Sequence, residues 1–266
     1  MGFLTTTPLW VAALLLVGLT TLVAMTGPAV VRRWVTLERL RTNNEVAGFK
    51  FATVGVLYAV LLAFAVIVVW EKFAEADDDV ATEAGAAVTV YRLAEGLGGA
   101  PGAALHAAIG AYLASAIDVD WPAMARGVES RATTRALDAV YVEVLRFHPS
   151  DERGQVVMSE VLYQLDQLTQ ARRARLVMAS GIVPDIVWVV LFFGAFVTIG
   201  FTFFFGTENL AAQTLMTGAL TSLIFSGLLT IIAIDRPFAG TVTVRPDALA
   251  DVLADFGGQP ERVEPH

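Results

Sequence analysis

The stretch "FAVIVVWEKFAEADDDVATEA", Phe64 to Ala84, passes from seven apolar residues straight into six carboxylates between Glu71 and Glu83. Neither proline nor glycine interrupts it, so both halves read as one helix. An apolar half with no polar face belongs in lipid, and an acidic half belongs in water. One helix therefore leaves a bilayer at Trp70.

The rest of the 266-residue chain agrees with a membrane setting. It is 56% hydrophobic and only 17% charged, with a mean hydropathy of +0.62, too apolar for an ordinary soluble domain. Crossing a hydrocarbon core takes roughly 20 apolar residues in a helix. Four runs qualify: 9–31, 51–70, 182–205 and 210–234. The first has no Lys or Arg before it and exceeds the about 7–15 residues of a signal-peptide core, so it reads as a retained span.

The expected fold is an all-α integral membrane protein of four transmembrane helices, two plus two, with a helical extramembrane insertion between the second and third spans. Residues 1–70 hold the first pair and an amphipathic connector, 71–181 the insertion, 182–234 the second hairpin and 235–266 a C-terminal tail. Within the insertion, helices are expected over 71–97, 103–117, 130–147 and 151–180, broken by glycine and proline, "GGAPG" among them. Val157, Val161, Leu165, Leu168 and Leu176 recur at three- and four-residue spacing and predict an inward stripe on the last of these.

The net charge of -8 is concentrated in the insertion. Between Glu71 and Asp166, sixteen carboxylates face seven Lys and Arg, a balance that attracts cations and repels nucleic acid. Five basic residues follow the first span (Arg32, Arg33, Arg39, Arg41, Lys50), favouring a cytoplasmic first connector, while Lys72, Arg172, Arg173, Arg175, Arg236 and Arg245 flank the other side. The charge rule is nearly balanced. With no cysteine, disulfides and thiol chemistry are excluded. His106, His148 and His266 lack the spacing of a metal site or catalytic triad, so neither an enzyme nor a cofactor is expected.

Small residues mark one face of the second span: Gly55, Ala59 and Ala63 fall four apart, with Ala52 three before them, and permit close approach of another backbone. In the fourth span Thr214, Gly218, Ser222, Ser226 and Thr230 form a four-spaced band, read as packing against Gly194 and Gly200 of the third or as the wall of a wet path. Glu71, Glu75 and Asp78 share a face of the acidic extension, with Asp79 and Glu83 beside it. Like charges four apart destabilise a helix by a few tenths of a kcal/mol each. Around an axis shared by several copies they become rings at a pore mouth. Two other readings are a merely solvated face, and pairing with Arg172, Arg173 and Arg175 on the helix returning to the membrane. Asp78 and Asp79, following Asp77, also offer oxygen ligands to a divalent cation, without EF-hand spacing. Asn43, Asn44 and Glu45 cap the second span or form its other mouth, and Asp235 with Arg236 reads as an interfacial pair.

In order, "NNEVAGF", "VGVLYAVLLAF", "WEKFAEADDDVATEA", "VYRLAEGL", Tyr112, "DWP" at 120–122, "ARRARL", "IVPDIVWVVLFFGAFVTIGF" and "DRPFAGTVTVRPDAL" resemble the bestrophin-like domain proteins of bacteria, over about residues 44–249. Two positions depart from the pattern: Asp120 where Glu is usual, and Asp185 where an apolar residue is usual. The resemblance implies a multi-pass inner-membrane protein that assembles with itself as a pentamer, with a cytosolic helical region and a second span lining an ion path. Its partners would be lipid, inorganic ions and other copies of the chain. Pore-lining candidates are Asn44, Glu45, Ala52, Gly55, Ala59, Ala63, Glu71, Glu75 and Asp78. Structural or gating candidates are Arg172, Arg175, Asp235 and Arg236. The carboxylates lean the expectation toward cations. The alternative is a non-conducting membrane sensor or scaffold whose helical domain binds a partner.

Overall fold

The computed structural model describes residues 8–42, 44–149 and 151–257. Among these residues the chain is helical with no strand, and five helices are long and apolar enough to cross a membrane. Two compact units emerge.

The first unit comprises Met1–Glu71, Ile182–Asp235 and Gly240–Val242. Its helices are α1 (Leu9–Trp34, with a π-helical stretch at Leu14–Leu19), α2 (Leu37–Thr42), the first half of α3 (Asn44–Leu97), α7 (Asp185–Thr202) and α8 (Leu210–Ile234). The fourth apolar run, α8, is the best covered: 44% of its most apolar window is buried, against 11% for α1 and for α3. Glycines set the close approaches. A Cβ at Gly218 would lie 2.9 Å from Met25 Sδ on α1, one at Gly227 2.9 Å from the Leu62 side chain, and one at Gly194 2.4 Å from the Tyr58 ring. Gly218 thus serves α1, whereas a Cβ at Gly200 would meet nothing, which corrects the expected pairing of the four-spaced band with Gly194 and Gly200. Thr221 and Thr230 donate to carbonyls one turn back in their own helix, at 2.8 and 3.0 Å, so those hydroxyls need no aqueous path.

The second unit holds Lys72–Gly181, Arg236–Ala239 and Thr243–His266. It contains the remainder of α3, α4 (Gly99–Ser115, continued by a π-helical turn Ala116–Asp120 and a last turn Trp121–Met124), α5 (Arg131–Arg146), α6 (Glu152–Met178) and α9 (Asp247–Phe256). The expected break at "GGAPG" is a tight reversal. Gly98 and Gly99 take φ of 65° and 53°, which side chains resist, and α4 begins at once. Gly102 then packs with its Cβ position 2.5 Å from the Ala94 carbonyl oxygen. Ser130 caps α5 by accepting from the Ala132 and Thr133 amides, and Asp151 caps α6 by accepting from Gly154 N–H at 2.7 Å.

The core joins Val90, Leu105, Ile109, Leu113, Val140, Val144, Val161, Leu165 and Leu168 with Phe238, Val244 and Leu249. Part of the expected tail is therefore core. The apolar face of α4 is consumed in the same way: Leu105, Ile109 and Leu113 are buried among the unit's own helices. His106 bonds the Tyr91 carbonyl oxygen at 2.8 Å and stacks on the Tyr91 ring, a packing role. Residues 258–266, including His266, lie outside the described part, as does Asn43.

Candidate functional site

α3 runs unbroken for 54 residues, about 80 Å at 1.5 Å per residue, far more than the roughly 30 Å of a hydrocarbon core. Tyr58 and Val69 are buried against its own chain, while Ala52, Ala59 and Ala63 are exposed and a Cβ at Gly55 would meet nothing. Among the described residues, the small-residue face thus packs on nothing of its own chain. Val56, Val60, Phe64, Ile67 and Trp70 share this uncovered half.

Beyond Trp70 the uncovered half continues with Glu71, Glu75, Asp77 and Asp78. Lys72 pairs with Glu75, and both are half exposed. Asp77 borders a groove of about 380 Å³ with Phe73, Arg245 and Asp247. Asp79 is half-buried, with Oδ2 buried and without a hydrogen-bond partner. Burial, then the neighbouring charges of Glu75, Asp78 and Glu83, raise its pKa above the ordinary carboxylate value. Among the described residues no group of three or more His, Asp or Glu side chains is placed to hold a metal ion. Asp78 and Asp79, the candidate cation site, belong to no such group.

At the start of α3, the Asn44 side chain is spent on structure. Its amide donates to the Gly206 carbonyl at 2.7 Å and accepts from Gly206 N–H at 2.9 Å. Arg32 donates to the Thr207 carbonyl and, at 2.7 Å, to Gln213 Oε1, tying the same α7–α8 loop to α1. Glu45 stays exposed. At the far end of α8, Asp235 accepts from the Ile182 and Val183 amides at 3.2 and 2.8 Å, so it braces the entry to α7. Arg236 is half-buried and its carbonyl accepts from Ala239 N–H.

The second unit contains an ionic cluster that the sequence reading did not assemble. Glu83 and Arg175 are both fully buried, joined by two bonds, Nε to Oε2 at 2.8 Å and Nη2 to Oε1 at 3.0 Å. Tyr112 donates its hydroxyl to Glu83 Oε1 at 2.5 Å. Arg172 donates to Asp120 Oδ2 at 3.0 Å and to Thr134 Oγ1 at 3.2 Å, and Arg175 reaches Asp120 Oδ2 at 3.4 Å. Asp120 also accepts from Ser130 N–H at 3.1 Å, and Arg175 lies 4.6 Å from the centre of the Trp121 ring. Two carboxylates meet two guanidinium groups, so the cluster carries no net charge. Burial alone would make Arg175 easier to deprotonate, but Glu83, Tyr112 and Asp120 more than offset it and hold the guanidinium charged.

Arg172 and Arg175 thus pair with Glu83 and Asp120, not with Glu71, Glu75 or Asp78. Arg173, by contrast, is exposed. A signal for this existed in the spacing. Ala76, Val80, Glu83, Ala87, Val90 and Ala94 repeat at four and three, as do Val161, Leu165, Leu168, Arg172, Arg175 and Ala179, and every one is buried. A charged residue in phase with such a stripe is buried with it. The inward stripe of α6 runs through the two arginines, whereas Leu176 lies at its edge, half-buried.

A family model described as Bestrophin-like domain matches residues 18–249. The chain belongs to the Bestrophin-like domain family. A bacterial Bestrophin homolog from Klebsiella pneumoniae, solved by Zn-SAD phasing, superposes with a TM-score of 0.68 at 15% identity, covering 91% of this chain and 98% of that one. A mutant of a bacterial Bestrophin homolog from the same organism gives 0.70 at 14% identity, covering 92% and 98%. These likenesses establish the bestrophin fold. No curated protein matches the chain. This Bestrophin-like chain is a membrane protein, its apolar helices largely uncovered by its own packing.

Proposed function

We infer that the protein is a homo-oligomeric ion channel of the bacterial inner membrane, with the second span of each subunit facing a common axis and a preference for cations. The reading takes 9–31, 51–70, 182–205 and 210–234 as the four crossings and leaves Gly99–Met124 in the helical domain between them. Assembly as a pentamer follows the bestrophin analogy. The observation that carries the proposal is the uncovered half of α3. It bears exposed Ala52, Ala59 and Ala63 over the apolar stretch, then exposed Glu71, Glu75 and Asp78. Because Glu83 and Asp120 are neutralised by their arginines, the field beside α3 comes from the exposed acids, against Lys72. Neighbouring copies would bring these acids together in rings that concentrate cations.

The helix geometry refines which acid does most. At about 100° per residue, the line through Ala52, Ala59 and Ala63 is continued by Trp70, Asp77 and Ala81, while Glu71, Glu75 and Asp78 stand about 80–140° round from it. The first line faces the axis in the narrow part, and the second set widens the mouth. Glu45 marks the opposite mouth, and Asn44 supports it through Gly206.

Purified protein in liposomes tests this directly. Cation flux is expected, together with one defined oligomer. Glu71→Gln with Glu75→Gln should lower the cation-to-anion ratio, and Asp77→Asn should lower cation conductance. A monomer, or a tight oligomer without flux across a range of salts, pH and calcium, refutes the channel. The latter outcome supports a sensor or scaffold.

A further inference from the structure

The α3 stripe in the helical unit is unusually plain. Of its eight buried positions from Ala76 to Ala94, five are alanine and two are valine, and the eighth is Glu83. Small, near-identical side chains on α3 present a run of similar holes to the helix packed on it, so the seam fits almost as well after one helix slides by a turn. The α3–α4 pair has a separate device, the reversal at Gly98 and Gly99, which fixes those two helices in register by chain connection. α6 has none. It is more than fifty residues further along and runs antiparallel to α3, meeting it at Gly96, whose Cβ position is 3.6 Å from Val157, and at Glu83, bonded to Arg175.

We propose that Arg172 and Arg175 are register pins which set the axial position of α6 against the α3–α4 hairpin, and that this, not stability, is the contribution of the buried charges. Each arginine holds a carboxylate on a different arm of the hairpin: Arg175 binds Glu83 of α3, and Arg172 binds Asp120 of the α4 continuation, with Arg175 also touching Asp120. The two arginines are three positions apart, so both point into one seam. A slide of one turn carries one arginine into the place of the other and takes the second off its carboxylate, so each one-turn shift leaves at least one buried charge without its partner, while the native register satisfies all four. A neutral, fully bonded cluster can do this although burying it gains little stability over an apolar core of the same shape. The assignment concerns the helical unit alone and stands or falls independently of ion conduction.

The test removes all four charges while keeping acceptors for Tyr112 and Ser130: E83Q/D120N/R172M/R175M in the full chain. Because the protein has no cysteine, Thr82→Cys and Gln170→Cys place unique spin labels on exposed positions of α3 and α6, in labelled chain diluted with unlabelled chain. The parent should give one narrow distance distribution. The charge-free chain should stay helical, with a melting temperature equal to or above the parent's, and show a second distance population, shifted by the projection of a slide of about 5.4 Å, one helical turn, on the line between the labels. As a control, Val80→Ala with Leu168→Ala should lower the melting temperature and keep one narrow distribution. A single distribution in the charge-free chain overturns the proposal, because packing alone then sets the register. Loss of fold in that chain overturns it too, because the charges then serve stability.

Discussion

The two halves of α3 meet their own subunit through small residues, yet they are fixed in place differently. In the membrane unit, shape does it: large side chains of α3, Tyr58 and Leu62, sit on Gly194 and Gly227 of α7 and α8. In the helical unit the small residues are on α3 itself, and charge does it, through Glu83 held by Arg175 and Tyr112. On the proposed placement, with the first unit in lipid and the second in water, the difference follows from the surroundings. In lipid, apolar partners gain nothing from hiding, so close van der Waals fit is the main source of helix specificity. In water, burying alanine and valine drives association without choosing an alignment, and a directional polar contact supplies the choice.

Breaking the charge side of this contrast should have the largest effect. Arg175→Met alone leaves Glu83 fully buried with the Tyr112 hydroxyl still donating to it, and removing one partner of a buried ion pair costs about 3–5 kcal/mol. Thermal unfolding in detergent should show a much lower midpoint than for the charge-free four-site variant. Equal loss in both would mean that the cluster is valued for its strength.

Breaking the shape side comes next. Gly194→Ala would put a methyl 2.4 Å from the Tyr58 ring, and overpacking of this kind costs about 1–3 kcal/mol. Tyr58→Ala should partly rescue it, since the obstructing ring is gone. Gly55→Ala is the counterpart on the uncovered side of α3. Within one subunit its methyl meets nothing, so helix propensity alone should stabilise by up to about 1 kcal/mol. If Gly55 abuts a neighbouring copy, the same change should instead weaken the oligomer. A crosslinking ladder compared with the unfolding midpoint separates the two.

These contrasts also show what the sequence could disclose. Long apolar runs, glycine breaks and the four-and-three stripe of α6 are local patterns, and they marked four of the five helices long and apolar enough to cross a membrane, and most helix positions. The ion cluster is not local: Glu83 and Arg175 are 92 residues apart, and Asp120 and Arg172 are 52 apart. Composition pooled Glu83 with the exposed acids because adjacent carboxylates look alike, although its phase with Val80, Ala87 and Val90 already separated it. Asn44 stayed open between two roles for a related reason. An amide at a helix start suits a cap or a polar lip equally well, and only the arrival of Gly206, 162 residues later, reveals which backbone it holds. The burial of Phe238, Val244 and Leu249 in the helical unit's core was invisible because it depends on where the chain returns after α8.

The smallest effect concerns Asp79, which lies on α3 between the exposed acids and Glu83 and has no arginine. Its folded pKa is raised by partial burial and by the carboxylates around it. A raised carboxyl pKa means that folding holds the proton more tightly than the unfolded chain does. Below the unfolded value both states are protonated and there is no penalty; as pH rises through the folded value, the charged form costs stability. Asp79→Asn should therefore raise the unfolding midpoint slightly at neutral pH, and the gain should vanish as pH falls below the ordinary carboxylate range. Glu83→Gln should shift the midpoint the other way, lowering it at neutral pH, because it breaks the two-bond pairing with buried Arg175. If both substitutions shift the midpoint in one direction, the division of this acidic helix into a paired inner carboxylate and an unpaired outer one is wrong.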